Sequence, residues 1–481
     1  MLYMKHCSTL PSRYLLLVIL LSASLAEAQS PTVVGTALSP ARNAIAAPRT
    51  APVLVPFSQA INPATAGNIK IFSSQYGGQR TAMANTNGNT VTLVPTAPAG
   101  QSAAFKPGEL LTVTVSAAVV GTSGAATAPY VYQFAAAATG GTGRFVTGAH
   151  VPVIGYDYSS DVRVGDLDGD GDLDFVTSSG LYRSFQLIPG KINVRINDGT
   201  GNFTAAPDIT VPQGPTSVAL GDVDADGDLD VVSANYGGFG GAGNTVSICL
   251  NNGTGLFSSP SNIVVGPYPK RLVLGDIDGD SDLDLVIYGG TLFQVLFNNG
   301  SGNFGGAVTL APGNTGTTEI GPALADMDGD GDLDIIGPDR LYRNNGQGAF
   351  TAVTGGMTTY YRNDVLGDVD GDGDLDLVTT ARARNSLFIT LNDGNGSSSA
   401  SKVIPTAASY TPCVALGDLD GDGDLDLMAP VFTNNLALNV WLNDGLGNFS
   451  ATPTRLGNTQ AMDRCGRRWR PRLVGGQLWW S

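Results

Sequence analysis

Residues Asp166 to Asp174 read DLDGDGDLD, and the same nine-residue spacing returns at Asp222 (DVDADGDLD), Asp276 (DIDGDSDLD), Asp326 (DMDGDGDLD), Asp368 (DVDGDGDLD) and Asp418 (DLDGDGDLD). The starts are 56, 54, 50, 42 and 50 residues apart, so the chain contains an internal repeat. Each acidic segment follows a strand-like run, such as 217–221, and leads into an apolar pair: Phe175-Val176, Val231-Val232, Leu285-Val286, Ile335-Ile336, Leu377-Val378 and Leu427-Met428. A second turn signal, Asn-Asp/Asn-Gly-x-Gly-x-Phe, recurs near Asn197, Asn251, Asn298, Asn344 and Asn443, and Asn392 starts a copy without its Phe. One unit is therefore strand, acidic loop, strand, connection, strand, glycine turn, strand. Four strands in about 50 residues is the size of a propeller blade, and the predicted fold is all-β.

The acidic segments have a specific chemical reading. Calcium takes six to eight hard oxygens at about 2.3–2.6 Å. Carboxylates at the first, third, fifth and ninth positions converge if the chain curls, with the seventh backbone carbonyl and a water completing the shell. The candidate metal residues are Asp166, Asp168, Asp170, Asp172 and Asp174 in the first repeat, and Asp222, Asp224, Asp226, Asp228 and Asp230 in the second. Asp276, Asp278, Asp280, Asp282 and Asp284 follow, then Asp326, Asp328, Asp330, Asp332 and Asp334. The last two sets are Asp368, Asp370, Asp372, Asp374 and Asp376, and Asp418, Asp420, Asp422, Asp424 and Asp426. Two carboxylates 5 Å apart repel by roughly 3 kcal/mol at an effective dielectric of 20. A metal-free loop should fray, which makes the ion a folding element.

Alternatives fit less well. An EF-hand needs Glu at the twelfth position and flanking helices; here that position holds Thr177, Ser233, Ile287, Gly337, Thr379 and Ala429 between strands. Magnesium keeps more water and needs fewer carboxylates. The expected cofactor is Ca²⁺, about six ions. Leu at the eighth position in all six copies is expected to plug the blade core. Ser281 replaces the sixth-position Gly, and a non-Gly residue in the left-handed region costs roughly 1–2 kcal/mol, so the third loop should be the weakest.

Thirty of the 42 acidic residues lie in these segments, and removing them from a chain of net charge −16 leaves +14. The acidity is local, and a nucleic-acid partner is excluded in the reading. Six dications would bring −16 to −4. Charged residues are only 14% of the 481, with 64 Gly, which excludes a disordered acidic chain or a coiled coil.

Residues 1–28 have the three parts of a secretory signal: basic Lys5, His6 and Arg13, an apolar 14–26 and a small-x-small end at 26–28. Export to the medium or the cell surface follows as an expectation, with no membrane span after cleavage. Cys249 and Cys413 fall in strand-like runs of different repeats, so buried thiols are expected rather than a disulfide framework. Residues 29–138 lack acidic loops and carry alternating runs such as 90–94 and 111–115, the pattern of a β-sandwich.

After Asn458 the pattern stops. Residues 461–481 hold five Arg and three of the four Trp, with no acidic loop where a seventh is due. A basic or aromatic binding tail is one reading. A reading-frame slip is the favoured one, because skipping one nucleotide at the Gly466 codon permits Asp-Val-Asp-Gly-Asp-Leu-Asp-Leu and then Val-Ala-Asn-Tyr-Gly-Gly. The gene should then continue into a seventh blade, and the chain should be a truncated seven-bladed design with exposed sheet edges.

Two resemblances sharpen these expectations. Residues 53–63 (VLVPFSQAINP) and 106–109 (KPGE) before the Leu-Thr-Val-Thr-Val strand resemble bacterial Ig-like modules of surface-layer and secreted proteins, which act as spacers or adhesion units. Residues 139–460 resemble FG-GAP/VCBS repeats, whose acidic loops are similar to those of integrin α-subunit propellers. That likeness implies a β-propeller with calcium in the loop joining the first two strands of each blade, opposite the usual ligand surface, and serving adhesion, carbohydrate binding or catalysis.

The leading expectation is an exported calcium-binding propeller that binds a glycan or a protein surface. Its candidate ligand residues, on the connections away from the acidic loops, are Tyr156, Tyr158, Tyr182, Tyr236, Tyr268, Tyr288, Tyr360, Tyr361 and Tyr410. The alternatives are a polysaccharide-active enzyme and a purely structural surface spacer. No catalytic constellation is recognised among His150, Glu109, Glu319 and the uncommitted Asp157, Asp161 and Asp364.

Overall fold

The computed structural model describes residues 30–44, 46–73, 79–96, 103–106, 108–137, 159–179, 189–237, 243–290, 292–311, 321–337, 340–353, 364–381, 386–406, 414–420, 422–432, 436–450, 453–456, 471–474 and 477–480. The expected leader over 1–28 lies outside them. Among the described residues no helix is long and apolar enough to cross a membrane.

The described residues between 30 and 137 form the two-layer sandwich that the alternating runs require. Val53–Pro56, Thr90–Pro95 and Ala82–Asn87 make one sheet; Gln79–Arg80, Ile69–Ser73, Leu110–Val115 and Tyr130–Ala135 make the other. Between them lies a core that includes Val55, Phe57, Val91, Leu93, Phe105, Val113 and Phe134.

Each of the six repeats then folds as an antiparallel sheet in chain order. In the second repeat the order is Pro215–Gly221, Asp230–Asn235, Thr245–Cys249, Ser261–Val264. The first repeat splits its outer position between Phe203–Ala205 and Ile209–Val211, both paired with Gly190–Asn197. Second strands such as Asp174–Ser179 and Asp230–Asn235 are buried along their whole length. Sheets covered on both faces have no need to alternate, which is why these strands read as continuous runs of apolar and small residues. Outer strands such as Ser398–Pro405 are largely exposed.

Consecutive sheets share apolar cores: the first with the second, the second with the third, and so on to the fifth with the sixth. The eighth-position leucines make much of this contact. A Cβ on Gly165 would lie 2.4 Å from Leu229 Cδ1 of the next repeat, and one on Gly367 would lie 2.6 Å from Leu425 Cδ1. These leucines therefore seat against the preceding repeat, and the residue before the acidic loop must be small there. Leu173, by contrast, lies against Gly108 of the sandwich.

First strands also follow one another: Ser159–Gly165 lies against Pro215–Gly221, that against Pro269–Gly275, and that against Ala323–Ala325. Inner strands in succession, with four-stranded sheets radiating from them, are the arrangement of propeller blades. The hairpin of Pro471–Val474 and Gln477–Trp480 lies against the first strand of the first repeat and that of the sixth. Leu419 at the second loop position of the sixth repeat is 40% exposed, whereas Leu167, Val223, Ile277, Met327 and Val369 at that position are buried. Cys249 is a buried free thiol, pushed up to about 12 by desolvation, as expected for a strand interior. Cys413 lies outside the described residues.

Candidate metal centres

Each acidic loop is a compact hydrogen-bonded turn. The first-position carboxylate accepts from backbone N–H groups ahead of it: Asp166 from Gly169 at 2.8 Å and Gly171 at 3.1 Å, and Asp326 from Gly329 at 2.7 Å and Gly331 at 3.0 Å. The fifth accepts from the seventh N–H, as Asp170 does from Asp172 at 2.9 Å. The ninth is buried and accepts twice, Asp230 from Val223 N at 2.9 Å and from Asn251 N at 2.7 Å. All six repeats reproduce this last pair of bonds.

The result is a convergence of three carboxylates. The first, third and ninth positions place oxygens within 4.8 Å of one another in the groups Asp166-Asp168-Asp174, Asp222-Asp224-Asp230, Asp276-Asp278-Asp284, Asp326-Asp328-Asp334 and Asp368-Asp370-Asp376. Fifth- and seventh-position residues are not part of these groups. The seventh instead lies over the glycine of the second turn signal: Asp228 Oδ2 is 2.5 Å from where a Cβ of Gly253 would sit, and Asp424 Oδ2 2.5 Å from that of Gly445.

Buried oxygens without a hydrogen-bond partner mark the same spot. They are Oδ1 of the third-position Asp224, Asp278, Asp328 and Asp370, and Oδ1 of Asp222. An orphaned buried carboxylate oxygen is costly unless a cation or water meets it. The donors are all hard oxygens, which suits calcium or magnesium over zinc. On both counts the residues fit a divalent cation, held by the first, third and ninth side chains, which would supply the charge these loops need.

Desolvation dominates the titration of these groups. Burial first, and neighbouring loop carboxylates second, push Asp174 and Asp284 to about 7, Asp230 and Asp376 to about 8 and Asp334 to about 9, against the lowering by their backbone hydrogen bonds. The unfolded carboxylate titrates near 3.9. Between pH ~4 and ~8 the metal-free fold thus retains protons that the unfolded chain has released, so its stability falls as pH rises. A cation requires those protons to leave. The midpoint difference between calcium-loaded and chelated protein should therefore widen from pH 5 to pH 8, measured by thermal melts at each pH. A constant difference would contradict this reading.

Two glycine positions, not one, need left-handed backbone. The fourth position has φ of 79° at Gly169, 78° at Gly279, 70° at Gly329 and 82° at Gly371, and the sixth has 98° at Gly171. Ser281 sits at φ 78° as expected, and Ala225 at the fourth position of the second loop sits at 62°. The strain expected of the third loop is therefore shared by the second.

A further set of residues was visible in the sequence only as turn formers. The asparagines of the second turn signal bridge repeats: Asn251 Nδ2 donates to Leu167 O at 2.8 Å in the preceding repeat and to Leu229 O at 3.1 Å in its own. Asn298, Asn344, Asn392 and Asn443 repeat this to Val223, Ile277, Met327 and Val369 of the preceding repeats. Each bridge ties an acidic loop to the loop before it, over 65 to 84 residues of sequence.

Of the nine tyrosines, Tyr156, Tyr158, Tyr182, Tyr360, Tyr361 and Tyr410 lie outside the described residues. Tyr288 is not on a surface: it is 4% exposed and packs on Phe293 at 5.1 Å, because its strand is buried between the third and fourth repeats. Tyr236 and Tyr268 are paired at 5.6 Å, and the Lys270 ammonium lies 6.0 Å from the Tyr236 ring. Tyr268 is 41% exposed at φ 59° and borders a cavity of about 180 Å³ with Pro267, Leu292 and Gln294. Of the uncommitted acids, Asp161 pairs with Arg163 at 2.7 Å and accepts from Ser217 and Val218, while desolvation raises the Asp364 carboxyl well above the usual range. Glu109 is buried beside Arg80 at 3.8 Å.

Comparison with known proteins agrees with the geometry. The FG-GAP-like repeat matches residues 186–233, 222–287, 276–337 and 368–429, and the bacterial Ig-like domain matches residues 27–136. Human integrin alpha-IIb is 29% identical over 150 residues, which is 27% of this chain and 14% of the integrin's length. Among solved structures, an Agrocybe aegerita lectin described as recognising non-reducing terminal N-acetylglucosamine is similar at TM-score 0.45 and 21% identity, covering 62% of this chain and 80% of the lectin. A putative 6-phosphogluconolactonase from Bacteroides fragilis is similar at TM-score 0.38 and 16% identity, covering 59% of this chain and 81% of its own. Scores at this level carry no argument about function.

Proposed function

We propose, from the premise that this chain carries FG-GAP-like repeats and a bacterial Ig-like domain, that it is an exported calcium-binding module that holds a glycan or a protein surface outside the cell. The observation that carries the reading is the carboxylate triad, recurring at the same three loop positions with orphaned buried oxygens at its centre. Calcium in these loops neutralises repelling carboxylates and fixes one end of each sheet. The connections at the other end are then presented on a rigid frame, which suits binding rather than turnover.

Within that reading the Tyr236–Tyr268 pair is the ligand platform. Tyr268 is held exposed in a backbone conformation that costs a side-chain-bearing residue roughly 1–2 kcal/mol. Flat rings with polar edges, a neighbouring ammonium and an adjoining cavity suit stacking on a sugar or on a partner's side chains. With calcium present, a glycan array and a binding-partner screen should return a ligand whose affinity falls at least about tenfold in Tyr268→Ala, the loss expected for a stacked aromatic anchor. A ligand bound equally well by Tyr268→Ala would remove this platform, and no ligand in either screen would favour the structural-spacer reading.

A further inference from the structure

The Ig-like domain meets the repeats at the acidic loops. Lys106 Nζ donates to Gly227 O at 2.8 Å, Lys70 Nζ to Gly331 O at 3.1 Å, Val131 N to Gly373 O at 2.6 Å and Asn43 Nδ2 to Gly423 O at 3.2 Å. All four acceptors are the sixth-position carbonyl of their loop, in the second, fourth, fifth and sixth repeats. The donors come from four separate places in the sandwich, so the match is between two surfaces.

Charge and packing follow the same contact. Arg42 lies 2.9 Å from Asp368 and 3.4 Å from Asp424, and Lys70 lies 3.1 Å from Asp332. Val131 is buried in the apolar cluster of the fourth and fifth repeats with Met327 and Leu375. A Cβ on Gly373 would lie 2.3 Å from the Tyr130 ring, and one on Gly329 would lie 2.3 Å from Pro129. These glycines serve the left-handed turn and the close approach together.

We propose that the acidic-loop face is the docking surface of the chain's own Ig-like domain, and that cations in the loops hold it docked by fixing the sixth-position carbonyls. The loop face is thereby closed to outside ligands, and the far connections remain as the outward surface. The coupling rests on the loops being cation sites, as proposed above; the docking itself does not. Coupling of this kind is reciprocal, so loading of the contacted loops and seating of the domain favour each other.

Small-angle scattering of the full chain in saturating calcium tests both parts, with circular dichroism confirming that each variant is folded. In Arg42→Glu/Lys70→Glu/Lys106→Glu, which alters no loop residue, the maximum dimension should grow by about 20 Å, most of one domain's width. Asp326→Asn/Asp328→Asn in the contacted fourth loop should give growth in the same direction. Asp278→Asn/Asp284→Asn should not, because among the described residues no sandwich donor bonds the sixth-position carbonyl of the third loop. Wild-type scattering from the triple variant would overturn the docking surface. Equal scattering from the two loop variants would overturn the coupling and leave docking as a static contact. If a loop variant fails to fold, titrating calcium into the triple variant replaces it: affinity unchanged from wild type overturns the coupling.

Discussion

Chelating divalent cations at pH 7.5 is expected to lower the thermal midpoint of the repeats by more than about 20 °C, or to remove the cooperative transition altogether. A ligand at a hundred times its dissociation constant adds about 2.7 kcal/mol per site. For domains of 150–250 residues, 1 kcal/mol moves the midpoint by roughly 2–4 °C. The chain has six acidic loops, and the effect of each adds to the next because consecutive sheets share cores. The loops hold five aspartates each, and desolvation already pushes the ninth-position carboxylates well above their ordinary range. Without a cation at neutral pH these groups either keep protons or repel one another, and both destabilise the closed loop. Readdition of calcium should restore the transition, and a midpoint indifferent to chelator would remove the ion from the folding account.

The second large effect is expected from a single neutral side chain. Asn344→Ala should cost about 3 kcal/mol, read as a drop of roughly 6–12 °C in the calcium-loaded midpoint. Asn344 Nδ2 donates to Ile277 O at 2.6 Å and to Leu333 O at 3.0 Å, and the residue is buried. Truncation strands two buried carbonyls in two different loops, each worth about 1–3 kcal/mol when left unpaired. Asn345 is the internal control. Its carboxamide accepts from Gln347 and Ala349 within one exposed turn, so Asn345→Ala should cost well under 1 kcal/mol. Equal losses from the two variants would mean that the bridge between repeats contributes nothing.

The repeat, the sheet order and the acidic loops were legible because they depend on spacing. Asp at alternate positions, Gly at the turn and Leu at the eighth position are local rules that recur six times. What was not legible depends on partners far away in the chain. The bridging asparagines read as turn residues, since their backbone does form a turn, while the carbonyls they reach lie 65 to 84 residues upstream. Ala225 is the one exception to Gly at the fourth loop position, and the dihedral angles show why that matters: its backbone is left-handed there, at φ 62°. The seventh aspartate shares the loop's two-residue rhythm in the sequence, and only the fold shows its side chain lying over the neighbouring glycine turn.

The tyrosines show the same division. In the sequence Tyr288 falls near the end of a strand, as a surface connection would, but in the fold it packs on Phe293 within the core shared by the third and fourth repeats. The docking of the Ig-like domain was invisible for a simpler reason. Arg42, Lys70 and Lys106 are isolated basic residues spread over 65 positions, and only the fold of the sandwich brings them to one side.

The account stands most directly on how many cations the folded chain holds, and of which element. Elemental analysis of protein equilibrated with millimolar calcium and magnesium, then desalted, should find close to six calcium ions per chain, with magnesium near zero. One bound ion or none, with the far-ultraviolet spectrum still that of a folded β protein, would contradict it.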